Sequence, residues 1–395
     1  MCKAGEREDS PRVMALRARC FSAVPVWFSS WRAWRSAMIL RAFSRRGAEV
    51  EMTKNFCLPR WLYPSSLACV ALLGTTWPGP ALNVRAAPAA SVSVGITLRV
   101  DGRERHALLH LPNSETDPAR AAQALLLVIM LHGYGGTSAH SERETRWSAK
   151  ADTERFVVAY PDATRPRPEQ AASLRGNPQA WNDGSERFHA PGSEVNDVEF
   201  IRTLIDELVK QQRIDPRRIY VTGFSNGASM ALRVGAELAE RVTAVAPVAG
   251  ASWLDNPWPA RGISVLYLTG TADPLNPLQG GVPRLRRPSA PPGTGGAAGP
   301  EGKPKKSLDA LMAQWSQALR CSAEPSTDVT NNGVRTRRYG SCRDEAEVAF
   351  VTIEGLGHIW AGGVNHLPEM WVGQATDKFD ATDVIWNFFR EKSLP

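Results

Sequence analysis

The chain has 395 residues, room for one large domain or two medium ones, and its 43% hydrophobic and 22% charged content is that of a soluble globular protein. A formal charge of +7 points at first toward nucleic acid or an anionic membrane. Its distribution removes that reading: residues 1–86 hold 13 Lys and Arg against 5 Asp and Glu, which leaves 34 against 35 in residues 87–395.

The basic part reads as a leader. Residues 1–51 are rich in Arg and Trp without periodicity and suit an upstream extension from a mis-set start codon, or a disordered tail. From Met52, Lys54 and Arg60 precede an apolar run over residues 61–74 that is too short to span a bilayer comfortably. Val84-Arg85-Ala86 then places small residues where a signal peptidase reads, so a signal peptide over 52–86 is expected, with export to the periplasm or the exterior. The alternatives are an unprocessed tail, a membrane anchor through 61–74, or lipid attachment at Cys69. Four of the six cysteines lie in this leader, leaving Cys321 and Cys342. In an oxidising compartment these two are expected to bridge, contributing about 3 kcal/mol, the alternative being two unrelated buried thiols.

After Ala87 come two β-like runs, 91–100 and 106–111, around Asp101-Gly102, which predict a hairpin. His106 and His110 on its second strand read as ordinary surface or half-buried residues. The unbroken apolar run 124–131 suits a central parallel strand covered on both faces, and it ends at His132-Gly133-Tyr134-Gly135-Gly136. Another strand spans 156–160. A polar loop with Trp181-Asn182-Asp183-Gly184 follows, then a helix capped by Asn196 with Glu199 as its reciprocal partner. Strands are predicted near 218–222, 242–248, 263–268 and 347–353, alternating with helices, the pattern of a mostly parallel α/β sheet. Residues 280–306 are dominated by Gly, Pro and basic residues and read as a disordered or mobile insertion, with a substrate-contacting lid as the alternative. No second domain announces itself in 87–395.

Chemistry concentrates at Gly223-Phe224-Ser225-Asn226-Gly227. A serine raised on a sharp strand-to-helix turn needs small neighbours two residues away on either side, and the following helix aims its first amides at the hydroxyl. Serine is a weak nucleophile unless a histidine takes its proton and a carboxylate orients that imidazole. Asp273 follows the strand at 263–268 and His358 follows the strand at 347–353. Ser225, Asp273 and His358 therefore fall in the chain order of an α/β-hydrolase. Asp255 and Asp380 are the weaker candidates for the acid, His366 is the fallback base, and His132 fits a loop-ordering role. Oxyanion amides are expected from Asn226 and Tyr134, although a Gly-rich turn without catalytic part also fits residues 133–136. No metal-ligand spacing and no phosphate-binding Gly loop is present, so no cofactor is expected.

These motifs, together with Gly270-Thr271-Ala272-Asp273-Pro274 and Gly357-His358-Ile359-Trp360-Ala361-Gly362-Gly363, resemble the secreted poly(3-hydroxybutyrate) depolymerases and the feruloyl and acetylxylan esterases over roughly residues 91–391. The resemblance implies an α/β-hydrolase fold and ester hydrolysis through an acyl-enzyme on Ser225, Asp273 and His358. It also offers Trp181 and Trp360 as walls of the substrate pocket, with plain core tryptophans as the equal alternative. Two positions depart from the family's habit: Ala361 stands where proline is common, and Thr269 where histidine often precedes the Gly-Thr-x-Asp turn. The resembling polymer-degrading members often append a binding module, for which the chain up to Pro395 leaves no room. That shifts the expectation toward soluble oligoesters or aryl and acetyl esters. A serine peptidase on this fold usually needs a cap or propeller domain that the composition does not show. A non-catalytic binding protein is disfavoured because every triad position is filled.

Overall fold

The computed structural model describes residues 91–113, 118–189, 195–282 and 304–395. The expected extension at 1–51, the expected signal peptide at 52–86 and most of the expected insertion lie outside them. The described strands are β1 (Val92–Val100), β2 (Arg103–Leu111), β3 (Leu125–Leu131), β4 (Val157–Pro161), β5 (Ile214–Phe224), β6 (Ala244–Val248), β7 (Ser264–Gly270), β8 (Thr327–Asn331), β9 (Val334–Tyr339) and β10 (Val348–Ile353). The helices are α1 (Pro118–Ala121), α2 (Ser138–Thr145), α3 (Trp147–Glu154), α4 (Asp197–Gln211), α5 (Asn226–Glu237), α6 (Leu308–Ala318), α7 (Glu369–Val372) and α8 (Ala381–Phe389). Among them no helix is long and apolar enough to cross a membrane.

All ten strands join one sheet in the order β1-β2-β4-β3-β5-β6-β7-β10-β9-β8. The six inner strands, β4 through β10, are parallel, and an antiparallel pair flanks each side. Period-two alternation explains why the inner strands are apolar throughout. In β3, Leu127, Ile129 and Leu131 enter one core with α4, α5 and α6, while Val128 and Met130 enter the other with α3 and α8. Since β3 has β4 on one side and β5 on the other, the chain reverses direction across the sheet there. That switch point is where open α/β sheets gather ligands at their carboxyl ends.

The first hairpin closes at Asp101 (φ 49°) and Gly102 (φ 74°), as its sequence predicts. A second hairpin, β8–β9, turns at Asn332 and Gly333, whose φ values of 47° and 71° suit the same two-residue turn. The Asn-Gly signal was present in the sequence but masked by its charged, half-exposed strands. At the start of α4 the Asn196 side chain accepts from Glu199 N at 3.0 Å, while the Glu199 carboxylate is taken by Arg202, so the expected reciprocal box is met on one side. A disulfide joins Cys321, just after α6, to Cys342, just before β10. The ends of the 280–306 stretch are ordered: Gly281 and Lys305 exchange backbone hydrogen bonds of 2.9 and 3.0 Å.

Candidate active site

Ser225 stands between β5 and α5 with φ 54° and ψ −115°, a conformation that costs a side chain roughly 1–3 kcal/mol. The surroundings enforce it. Ser225 N donates to Val248 O at 2.9 Å, and Ser225 O accepts from Ser229 N at 3.1 Å. A Cβ at Gly227 would collide with the carbonyls of Leu131 and His132, and one at Gly223 with the backbone of Gly227. Only glycine lets β5 turn back this closely on β3, which is why the motif requires glycine at both places.

The loops after β7 and β10 bring the acid and base together. His358 Nδ1 lies 2.7 Å from Asp273 Oδ2, both side chains being buried. The other oxygen, Asp273 Oδ1, accepts from Leu275 N and Asn276 N, each at 2.8 Å. Three donors thus hold one carboxylate, one of them an imidazole nitrogen fixed as donor. The His358 ring packs against Phe224, the neighbour of Ser225, with centroids 4.8 Å apart. Two of the other candidates are occupied elsewhere. Asp380 caps α8 through Thr382 N and Asp383 N, and His366 packs on His140 at 4.8 Å.

The loop after β3 lies against the elbow, since a Cβ at Gly133 would sit 3.4 Å from that of Ser225. His132 holds this loop from inside. Its Nδ1 donates to Gly133 O at 2.7 Å and its Nε2 accepts from Ala163 N at 3.0 Å, which selects one neutral tautomer. Burial lowers its pKa below the ordinary 6.5, consistent with that neutral ring. Gly135 N is tied to Gln179 O at 2.8 Å.

Sequence reasoning left the Trp-Asn-Asp-Gly segment without a mechanical role, and the structure supplies one. Asn226 Oδ1 accepts from Trp181 N at 2.8 Å, while Asn226 Nδ2 donates to Trp181 O at 3.2 Å and Asp183 Oδ2 at 2.8 Å. The residue after the serine is thereby clamped by its own side chain. Its backbone N–H opens α5, where first-turn amides have no intrahelical acceptor. The clamp is itself braced: buried Asp197 joins Arg105 at 2.7 Å to Asn182 N at 2.7 Å. Trp181 is 0% exposed and donates Nε1–H to His132 O at 2.9 Å, and Trp360 is 1% exposed and donates to Thr382 Oγ1 at 3.0 Å. Both are core tryptophans that shape the site from behind. The aromatic surface at the mouth is instead Tyr134, 39% exposed and stacked on Phe188 at 4.4 Å. That pair borders a groove of about 960 Å³ that runs past Arg105, Asp162 and Arg187.

A phospholipase/carboxylesterase family model matches residues 115–283, a span that holds the 132–136 loop, Ser225 and Asp273. Strand order, elbow and family model agree. The chain has the α/β-hydrolase fold. Among curated relatives of this chain is NocK of Nocardia uniformis subsp. tsuyamanensis, designated an esterase, 29% identical over 73% of this chain and 80% of its own length. Feruloyl esterase B of Piromyces equi is 27% identical over 69% of this chain and 43% of its own. Poly(3-hydroxyalkanoate) depolymerase C of Paucimonas lemoignei is 26% identical over 63% and 57%. The chain therefore spans less than two thirds of the latter two, and the relatives it is similar to are esterases and a depolymerase by name.

Proposed function

We propose that this protein is a secreted serine carboxylic-ester hydrolase that works through an acyl-enzyme. The observation that carries the reading is the buried 2.7 Å pair of His358 Nδ1 and Asp273 Oδ2, on loops that leave the same carboxyl end of the parallel strands as the Ser225 elbow. Ser225 Oγ attacks the ester carbonyl carbon while His358 Nε2 takes its proton, and the resulting imidazolium is held by Asp273. The carbonyl oxygen, now negative, is received by the N–H groups of Asn226 and Tyr134; one such donor is worth roughly 3 kcal/mol in the transition state. The C–O bond to the alcohol breaks as His358 returns the proton to the leaving oxygen. Water, deprotonated by His358, then releases the acid and restores Ser225.

Oligomeric hydroxyalkanoate esters are the substrates we favour, in keeping with the relationship to the depolymerase. The exposed Tyr134–Phe188 stack supports a second reading, aryl or acetyl esters of plant cell walls, since a flat acyl group fits such a surface. A panel of 3-hydroxybutyrate oligomers, methyl ferulate and acetylated xylan separates the two. A fluorophosphonate probe tests the chemistry: labelling should vanish in Ser225→Ala, and a folded wild type that resists labelling would be a binding protein on the same fold. Export is supported by the apolar run at 61–74 and by the Cys321–Cys342 bridge. N-terminal sequencing of exported protein should begin near Ala87; a start at Met1 refutes the signal peptide.

A further inference from the structure

Lys305 is a buried cation that the ester mechanism does not use. It is 9% exposed, and its Nζ donates to Leu275 O at 2.6 Å and Asn276 Oδ1 at 3.1 Å. Both acceptors belong to the turn whose amides hold Asp273 Oδ1. The same Asn276 side chain donates to Tyr267 Oη at 2.8 Å and Thr269 Oγ1 at 3.1 Å, and Tyr267 in turn donates to Gly250 O at 2.5 Å. Gly250 lies against the Ser225 carbonyl, with no room for a Cβ between them. One buried network therefore connects the turn of the acid to the backbone of the elbow, and Lys305 is its charged member.

We propose that Lys305 is a positioning residue for the Asp273–His358 pair, its ammonium fastening the 273–276 turn through the Leu275 carbonyl and the Asn276 amide oxygen. The proposal rests on the Ser225–His358–Asp273 reading. A cation suits the position because it supplies donors to two carbonyl-type oxygens, and charge-assisted bonds are the stronger kind. The charged groups that face it are Arg187 and Asp183 from the 181–189 loop and Asp273 from its own turn, with His358 beyond. Burial and Arg187 push its pKa down to about 7, against the opposing pull of Asp273 and Asp183. The fastening consequently weakens as the ammonium loses its proton above neutrality.

The test uses Lys305→Met, which preserves length and removes the donor. On a short nitrophenyl ester kcat is expected to fall ~10–100-fold with KM within twofold, the scale of a small misplacement of a reacting group. The His358 Nδ1–H proton resonance should shift, and the bend in the wild-type kcat profile near pH 7 attributable to Lys305 should be lost. An unchanged kcat with an unmoved resonance overturns the proposal. Should Lys305→Met not fold, Lys305→Gln decides: an unchanged kcat with an unmoved His358 Nδ1–H resonance also overturns it. Reading that resonance in Ser225→Ala separates the two ideas. A fluorophosphonate-resistant wild type sinks the triad, whereas a labelled enzyme indifferent to Lys305 sinks only the positioning role.

Discussion

Ser93 Oγ lies 2.9 Å from His110 Nδ1, and His110 Nε2 lies 3.0 Å from Asp152 Oδ1. By residue type this is the same array as Ser225, His358 and Asp273, and each of its side chains lies within hydrogen-bonding distance of the next. The backbones differ. Ser93 sits within β1 opposite His110, so the amides around it belong to a regular antiparallel ladder. Ser225 sits at a strained elbow with a helix beginning at the next residue. The hydroxyl proton of Ser93 is already directed at Glu142 Oε1, 2.5 Å away, and Asp152 is 26% exposed, whereas Asp273 is wholly buried under three donors. The array at β1 fastens a hairpin to α2 and α3; the array at the strand ends is the one proposed to meet a substrate. Three side chains at bonding distance define neither role until the amides around the serine are considered.

The sharpest break between the two arrays is in the nucleophiles. Ser225→Ala is expected to lower kcat on the order of 10⁶-fold, while Ser93→Ala stays within twofold on the same nitrophenyl ester. Loss of activity in Ser93→Ala would invert the comparison. The acids come next: Asp273→Asn should cost about 10⁴-fold in kcat by upsetting the His358 tautomer, and Asp152→Asn should leave the rate alone. A smaller effect, ~10–100-fold in kcat with KM little changed, is expected for Asn226→Ala, which frees the residue whose amide receives the oxyanion. Steady-state kinetics on that variant would expose the error if KM alone moved. Least in rate but visible in stability is Ser93→Ala, which strips a partner from His110 and Glu142. It should lower the free energy of unfolding by about 1 kcal/mol in a denaturant titration, with catalysis untouched.

Much of this was legible in the residues. The apolar run at 124–131 announced a strand covered on both faces, and the order of Ser225, Asp273 and His358 followed from which loops leave which strand ends. What stayed hidden depends on backbone atoms. Asn226 is clamped by the N–H and C=O of Trp181, and main-chain partners leave no mark on residue identity. His110 looked ordinary because Glu142 and Asp152 reach it from helices far along the chain. Lys305 stood among Gly, Pro and basic residues whose composition suggests solvent, and only the pairing with Gly281 turns it inward. The resemblance offers Trp181 and Trp360 as pocket walls, and the structure buries both at 0% and 1% exposure, which residue identity does not reveal.

The position of β10 in the sheet has a bearing on time. It slots between β7 and the β8–β9 hairpin, and the loop that leaves it delivers His358. A chain emerging from its N-terminus has β3, β4 and β5 available long before residue 358, so the elbow and its clamp precede the base. On the proposed triad, a nascent or exported chain carries an unarmed serine until its last strand docks. Ester hydrolysis is then a signal that the C-terminal part has folded, and progressive truncation from that end should silence the chemistry while the elbow is still standing.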